Sequence, residues 1–319
     1  MAAYRRGKKI QPAELTMSFS LPAGTNNSTI DLSQCASLVN RRFYRQGINW
    51  VVESFKVLTS SGITGGVTVN RIPTTWVAYQ AWKKAFVAWN EQQKSALEES
   101  GAEDARARFS DFKIHADVTH VTAGFAGNLL PIDANAVTYA AGEWEASQIV
   151  VPNALPDGTG STVDSAEYTL HMVGVNNNAG QSRGVIEGYA DSRAYPQSPD
   201  PVSPDLDSSQ NWMARMQNVG KEQPDVLDNA TDRNDNLPYP QVNYPGGETQ
   251  AANLTYHDTS FITATTVGGT SRMKGGVFPA GLIRILSTLT IPQNEAAILQ
   301  INLVPGEHRG YLCEAMGDA

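Results

Sequence analysis

The sequence predicts an all-β sandwich or barrel with one inserted long helix and long surface loops. Apolar and polar residues alternate over about nine segments, which is the period of strands with one buried face. Clusters of Gly, Pro and Asn separate many of these segments, as turns between strands do. The chain has 319 residues, of which 41% are hydrophobic, so it is long and apolar enough to bury a core of domain size.

The first strand is predicted directly after a short basic arm of residues 1–12. Leu15, Met17 and Phe19 would lie on one face of this strand, with threonine and serine on the other. Residues 13–319 are expected to form a single domain. Further strands are predicted at 50–59, 67–72, 112–121, 144–151, 168–175, 261–266, 282–291 and 298–304.

The inserted helix is predicted at about 74–100. Its large side chains recur three or four residues apart, and three of them are tryptophans. Either Thr74 or Thr75 can cap its start, and Gly101 ends it. We interpret the aromatic stripe as a packing face rather than as a ligand cage, because aromatic residues at helical spacing usually form core.

An excursion at about 192–258 has no strand pattern and holds eight of the 17 prolines. It is either disordered or a surface loop ordered by neighbouring copies of the chain. We favour the second interpretation, because the segment contains large apolar residues that a solvated linker does not need, namely Trp212, Met213, Met216, Leu227, Tyr239 and Tyr244.

The charge is divided unevenly along the chain. The net charge of −8 argues as an average against nucleic-acid binding, but the first 90 residues hold 11 basic and three acidic residues. That front segment is therefore +8, and the other 229 residues carry −16. Two cysteines exclude a disulfide scaffold, and neither a membrane span nor a signal peptide is evident, so we expect a soluble protein with two reduced thiols in or near the core.

Catalytic and metal motifs are weak. Ser182, in Gly180-Gln-Ser-Arg-Gly184, fits a nucleophile elbow, but a hairpin loop without a following helix is the simpler interpretation. Its triad partners would be Asp191 or Asp258 and His257 or His308. His115, Asp117 and His120 could ligate a metal, yet a strand would place His120 on the opposite face.

A calcium loop is suggested by Asp232, Asn234 and Asn236, although Leu237 replaces its glycine and Asn243 its closing glutamate. Phosphate-binding glycine loops are absent. We therefore expect no enzyme, no metal and no cofactor.

The basic residues are the stronger functional signal. They form two groups, the arm residues Arg5, Arg6, Lys8 and Lys9 and the segment residues Arg41, Arg42 and Arg45. Arginine pairs with phosphates and exposed aromatic rings stack on bases, so this composition suits single-stranded nucleic acid. Phe43 is expected in the core, and Tyr44 is open to either role.

Three stretches carry a resemblance to a known family: residues 31–47, residues 72–76 leading into the helix, and residues 274–284. In them the chain resembles the capsid proteins of small circular Rep-encoding single-stranded DNA viruses of the circovirus-like group. The resemblance implies a single jelly roll of two four-stranded antiparallel sheets. It also implies an icosahedral shell of identical subunits around a circular single-stranded DNA genome.

By position, the resemblance makes Arg5, Arg6, Lys8 and Lys9 an inward arm and Arg41, Arg42 and Arg45 an inner surface. Related circovirus arms are long and rich in arginine, whereas this arm has four basic residues, which puts tight packaging in doubt. The implied partners are other copies of the chain and the genome, with a host receptor left open and no membrane. The implied location is the virion, made in the host cytoplasm with nuclear assembly left open. The alternatives are a β-sandwich module that binds carbohydrate or a receptor through 192–258, and a serine hydrolase using Ser182.

Overall fold

A computed structural model describes residues 12–101, 111–155, 163–194, 253–263, 269–293 and 295–318. The described chain is mostly β, with antiparallel sheets in a sandwich-like arrangement. The strands are β1 Thr16–Leu21, β2 Gly24–Asp31, β3 Ile48–Thr59, β4 Thr64–Arg71, β5 Gln148–Leu155, β6 Val163–His171, β7 Ser182–Gly184, β8 Thr255–Ile262, β9 Thr270–Phe278, β10 Leu282–Thr290, β11 Ala297–Leu303, β12 Pro305–Gly306, β13 Gly310–Tyr311 and β14 Cys313–Ala315. The α-helices are α1 Leu32–Asn40, α2 Trp76–Glu99, α3 Val118–Ala123 and α4 Val185–Ala194.

Two sheets make up the sandwich. The first has the order β1-β11-β3, with β9 and β14 both paired to β3, and the second has the order β2-β10-β4-β8. Every pair in these two sheets is antiparallel. The expected count of four strands holds for the second sheet, while β14 gives the first sheet a fifth strand.

The sandwich core follows the predicted alternation. Met17, Phe19 and Leu21 are buried along β1, and their side chains join Trp50 and Phe55 of β3 in one apolar cluster. Burying each such aromatic side chain stabilises the fold by about 1.5–3 kcal/mol. Both cysteines are free, with Cys35 buried and Cys313 half-buried, as expected.

A second apolar cluster lies around α2. This helix packs with α4 and with a three-stranded sheet in which β5 and β6 are antiparallel and β6 and β7 are parallel. The predicted bounds of the long helix are confirmed, and Thr75 rather than Thr74 is its N-cap. Its buried face consists mainly of alanines, with Trp82 among them, while Trp76 is exposed and Phe86 and Trp89 are half-buried.

Several sequence predictions are wrong in detail. Residues 112–121 are not a strand, because Asp117 caps α3 and ends the extended segment at Ala116. Three further helices, α1, α3 and α4, were not expected beside the long one, and neither were the strands β2 and β9. The end of the 192–258 excursion belongs to the second sheet, where β8 begins at Thr255. Residues 195–252 lie outside the described residues, so the interpretation of the excursion stays a prediction.

None of the helices in the described part of the chain is long and apolar enough to cross a membrane.

Candidate nucleic-acid interface

Arg41, Arg42 and Arg45 lie on a loop of residues 41–45, here called the basic loop, which joins α1 to β3. The helix before it begins where the Asp31 carboxylate accepts hydrogen bonds from the N–H groups of Ser33 and Gln34. It ends at Arg41, whose left-handed backbone (φ 50°, ψ 44°) turns the chain out of the helix. The sequence therefore places the first arginine at a helix C-terminus, where a cation is favoured by the exposed carbonyl groups.

Tyr44 anchors this loop to the core. It is 1% exposed, and its hydroxyl donates to the carbonyl of Arg309 over 3.0 Å. Its ring packs 5.9 Å from Trp50 and 5.5 Å from Tyr311 between centroids. Tyr44 is therefore unable to stack on a base, which decides the alternative that the sequence left open.

Phe43 was expected in the core, and this expectation is wrong. It is half-buried at the surface, with its ring centroid 6.2 Å from that of Trp144. The alternation of the loop explains the difference, because successive extended residues point in opposite directions and Tyr44 takes the inward position. The half-buried ring of Phe43 thus lies between exposed arginines.

The three arginines are exposed and available for a partner. No carboxylate of the described residues lies within salt-bridge distance of Arg41, Arg42 or Arg45. Arg42 donates from Nη1 to the carbonyl of Pro12 over 3.3 Å. Pro12 is the last residue of the arm of residues 1–12, and it is the part of that arm that the structure describes.

The structure also adds Arg309 to this surface. Its Nη1 donates to the carbonyl of Phe43, which fixes the guanidinium against the basic loop. The pKa of His308 is lowered from its ordinary value, mainly by burial and then by the charges of Arg309 and Arg45. The contribution of the two arginines indicates a positive potential at this surface. Sequence reasoning missed Arg309 because it comes 264 positions after Arg45 and no local pattern connects the two.

A buried carboxyl lies beneath the basic loop. The Asp31 Oδ2 atom accepts from Gln46 and from the indole N–H of Trp144, each over 3.0 Å. Burial raises the pKa of Asp31 to about 6, although these donors oppose the shift. Exposed Glu143 and Glu145 flank Trp144. The basic surface therefore extends from the basic loop toward Pro12 and Arg309, and away from Trp144.

Beside Arg45 the surface opens into a cavity of about 310 Å³, here called the α2 cavity. Its wall combines the α2 side chains with Phe112 and with the residues after β14. Its lining residues include Arg45, Trp82, Lys83, Phe86, Phe112 and Asp318.

The residues of the predicted hydrolase site are not assembled. Ser182 is fully buried, and its Oγ has no hydrogen-bond partner. The expected hairpin turn is present, since Asn177 and Ser182 pair antiparallel through two backbone hydrogen bonds. The expectation that no helix follows is wrong, because Ser182–Gly184 forms β7, which runs parallel to β6 and is followed at once by α4. His257 Nε2 lies 3.0 Å from the carbonyl of Lys274, and Asp258 accepts from the N–H of the same residue.

The predicted metal ligands come together only in part. The turn into α3 brings the rings of His115 and His120 to 4.7 Å between centroids, which a straight strand would have prevented. His171, which the sequence did not single out, joins them through a backbone bridge to His115. Asp117 instead pairs with Arg284. Over the described ranges, no three His, Cys, Asp or Glu side chains are arranged to hold a metal ion. The calcium motif at Asp232, Asn234 and Asn236, the arm residues Arg5, Arg6, Lys8 and Lys9, and the side chain of Asp191 lie outside the described residues.

Comparisons with protein families, with curated proteins and with solved structures found no match to this chain.

Proposed function

We propose that this protein is the capsid subunit of a small circular single-stranded DNA virus, with a jelly-roll fold, that assembles into an icosahedral shell. The strand order of the sandwich is the observation that carries the proposal. Counted along the chain, the eight long strands of the two sheets are β1, β2, β3, β4, β8, β9, β10 and β11.

The first of these eight strands pairs with the last, the second with the seventh, the third with the sixth and the fourth with the fifth, all antiparallel. This is one long antiparallel ribbon. Pairing of β11 with β3 and of β10 with β4 then closes the ribbon on itself. A ribbon wound in this way is the arrangement expected of a jelly roll, an architecture found in viral capsid domains.

The basic surface supports the role of the genome as partner. Three exposed arginines have no carboxylate partner in the described part of the chain, and one of them, Arg42, contacts Pro12, the last residue of the arm. Many identical subunits would present the same charges to one enclosed strand, so weak contacts add up. We propose that this surface faces inward and that the protein is located in the virion. It would be synthesised in the host cytoplasm, with assembly in the nucleus left open. A host receptor remains a further proposed partner.

A β-sandwich binding module is the second candidate function, because the jelly roll also occurs in lectin domains. A cleft of about 440 Å³ on the second sheet favours it, lined by the amide side chains of Asn27, Asn70 and Asn253. Arg284 also lines the cleft and donates from Nη1 to Asn27 Oδ1 over 2.6 Å. Amide groups and an ion pair in one cleft are suited to the hydroxyl groups of a sugar.

Negative-stain microscopy and light scattering of the purified chain separate the two candidates. The capsid proposal requires closed particles of uniform size. A stable monomer at physiological salt and high protein concentration would exclude it and favour the binding module.

The contact with DNA is tested separately, by replacing Arg5, Arg6, Lys8 and Lys9 together with alanine. We expect less nucleic acid to be recovered with the particles, because each removed charge releases one phosphate contact. The measurement is the ratio of absorbance at the nucleic-acid and protein maxima, and an unchanged ratio would count against the arm.

A further inference from the structure

We propose that the α2 cavity binds one nucleotide of single-stranded DNA, with the base against the aromatic wall and the phosphate at Arg45 and Lys83. The inference rests on the proposed function, because the ligand is a part of the genome that the shell would enclose. It adds a built binding site to what is otherwise an exposed basic surface.

The aromatic wall is the first argument. Trp82 and Phe86 are stacked, with ring centroids 5.2 Å apart and planes inclined by 5°. Phe112 meets both of them edge-on, at 5.8 Å and 5.7 Å. Trp82 and Phe112 are only 5% and 3% exposed, so they support the wall from behind, and the half-buried ring of Phe86 is the part on which a base of any type can stack.

Gly47 shows that the chain makes room for this wall. A Cβ atom at this position would overlap the six-membered ring of Trp82. The backbone just before β3 can therefore approach the indole only because residue 47 has no side chain. Trp82 packs against the peptide chain here, so its ring is oriented before any ligand enters.

The polar groups of the cavity are mainly donors. Lys83 donates from Nζ to the carbonyl of Gly317 over 3.0 Å, which holds the ammonium at the cavity and leaves two of its protons for a ligand.

These groups fit a nucleotide better than a peptide side chain or a lipid. Two cations, Arg45 and Lys83, face one carboxylate, Asp318, so the charge of the cavity favours an anion. A nucleotide supplies an anionic phosphate, a planar ring and several acceptors together. The base must be unpaired to reach the wall, which selects a single strand over a duplex.

Continuity with the basic loop places the cavity on the same surface. Arg45 belongs to that loop and also lines the cavity, while Arg41 belongs to the loop alone. The strand would thus pass from phosphate contacts at Arg41 and Arg42 to an inserted base beside Arg45. Replacing Arg45 or Arg41 also provides a matched comparison, because each replacement removes one positive charge from the same loop.

The test measures the affinity of the full-length protein for two ligands of ten units by fluorescence anisotropy. One ligand is oligodeoxythymidylate, and the other is an abasic deoxyribose-phosphate oligomer of equal charge. We expect about tenfold tighter binding of the oligonucleotide with bases, as stacking of a base provides. Phe86→Ala should remove this preference, and Trp76→Ala, an aromatic truncation on the same helix outside the cavity, should keep it. Arg45→Ala should weaken the preference, while Arg41→Ala should weaken binding of both chains equally.

Equal affinity of the unmodified protein for both chains would overturn the inference. The same holds if Phe86→Ala matches Trp76→Ala, or if Arg45→Ala matches Arg41→Ala. If particles form but the protein shows no preference for the oligonucleotide with bases, the capsid proposal stands and the proposed nucleotide site is excluded. If the protein prefers the oligonucleotide with bases but forms no particles, the nucleotide site stands and the capsid proposal is excluded.

Discussion

Tyr44 determines where the arginines of the basic loop lie. Its ring is inside the sandwich and its hydroxyl is bonded to Arg309, so the residues on either side of it must point outward. The sequence shows the composition of this loop, but the alternatives for Phe43 and Tyr44 differ only in which ring meets Trp50 and Tyr311. Part of that choice depends on Arg309 and Tyr311, which lie more than 260 positions away, so no local pattern reports it.

Replacing Tyr44 by phenylalanine should therefore lower the free energy of unfolding by about 1 kcal/mol, since one hydrogen bond is lost and the Arg309 carbonyl is left without it. Urea unfolding measures the difference. Tyr256→Phe, on an exposed ring, is the control and should be neutral. Equal stability of Tyr44→Phe and the unmodified chain would contradict the anchoring role.

The buried histidines His115, His120 and His171 predict a loss of stability in acid. Burial is the main cause that lowers the pKa of His115 and His171 to about 4 and that of His120 to about 3. Smaller contributions to the lowered pKa values come from His171 acting on His115, and from His115 and then Arg284 acting on His120, while Asp117 opposes the shifts of His115 and His171. The unfolded chain takes up these protons near pH 6.5, and the folded chain does not until about pH 4.

The free energy of unfolding should consequently fall as the pH falls from about 6.5 toward 4. Each histidine contributes up to about 1.4 kcal/mol per pH unit. Asp31 acts in the opposite direction between pH 6 and 4, because its raised pKa lets the folded state bind a proton first, so it offsets about one histidine. The net effect of the four groups remains destabilising.

His115→Gln should flatten this dependence, because glutamine does not titrate. Urea unfolding at several pH values measures the slope for the variant and the unmodified chain. Above pH 7.5 the two curves should differ by a constant, which serves as the internal control. Parallel curves between pH 6.5 and 4.5 would show that His115 does not titrate with the assigned shift.

At the scale of elements, alternation predicts a strand well when one face is buried and the other is solvated. It locates β1, β3, β4, β10 and β11, whose inward residues are mainly apolar. It misses β2, an edge strand in which only the last three residues are buried, and β9, whose sequence Thr-Ser-Arg-Met-Lys-Gly-Gly is mostly polar. At Gly275 of β9 a Cβ atom would overlap the backbone of β3, so close approach replaces side-chain packing there.

The segment 112–121 fails for a different reason. Phe112, Ile114 and Ala116 are buried, as predicted, but they pack against α2 and β6 rather than within a strand ladder. At Asp117 the carboxylate accepts the N–H of His120 over 2.8 Å and starts α3. Asp117 is a residue type that caps helices, so the sequence did contain a signal for the start of α3. The apolar alternation of the preceding residues obscured that signal.

The cap of α2 gives a prediction at this scale. The Thr75 hydroxyl accepts the N–H of Ala78, whereas Thr74 is exposed and outside the helix. Thr75→Ala should therefore lower the free energy of unfolding by about 1 kcal/mol, and Thr74→Ala should leave it within about 0.5 kcal/mol. Thermal or urea unfolding of the two variants decides the matter, and equal losses would contradict the assignment of the cap.

At the scale of the whole molecule, the edge strand β8 is the surface best suited to a contact between subunits. It is the last strand of the second sheet, so its outer backbone groups have no partner strand within the described part of the chain. Two large side chains on this edge strand are exposed, Tyr256 at 64% and Phe261 at 77%. Isolated soluble domains rarely combine an open edge with exposed aromatic rings, because both promote association.

Phe261→Ser should therefore shift the protein from particles toward free subunits, as measured by sedimentation velocity or light scattering. The variant should keep its free energy of unfolding, because the ring is mostly in water in the single chain and little burial is lost. Val137→Ser is the control, since Val137 is 61% exposed but lies outside both sheets of the sandwich. If both variants assemble as the unmodified chain does, the edge of β8 is not the contact, and assembly must use other surfaces such as the 192–258 excursion. If Phe261→Ser alone fails to assemble, the open edge of β8 is the contact between subunits. An isolated sandwich would have to protect that edge, whereas the proposed shell would use it for assembly.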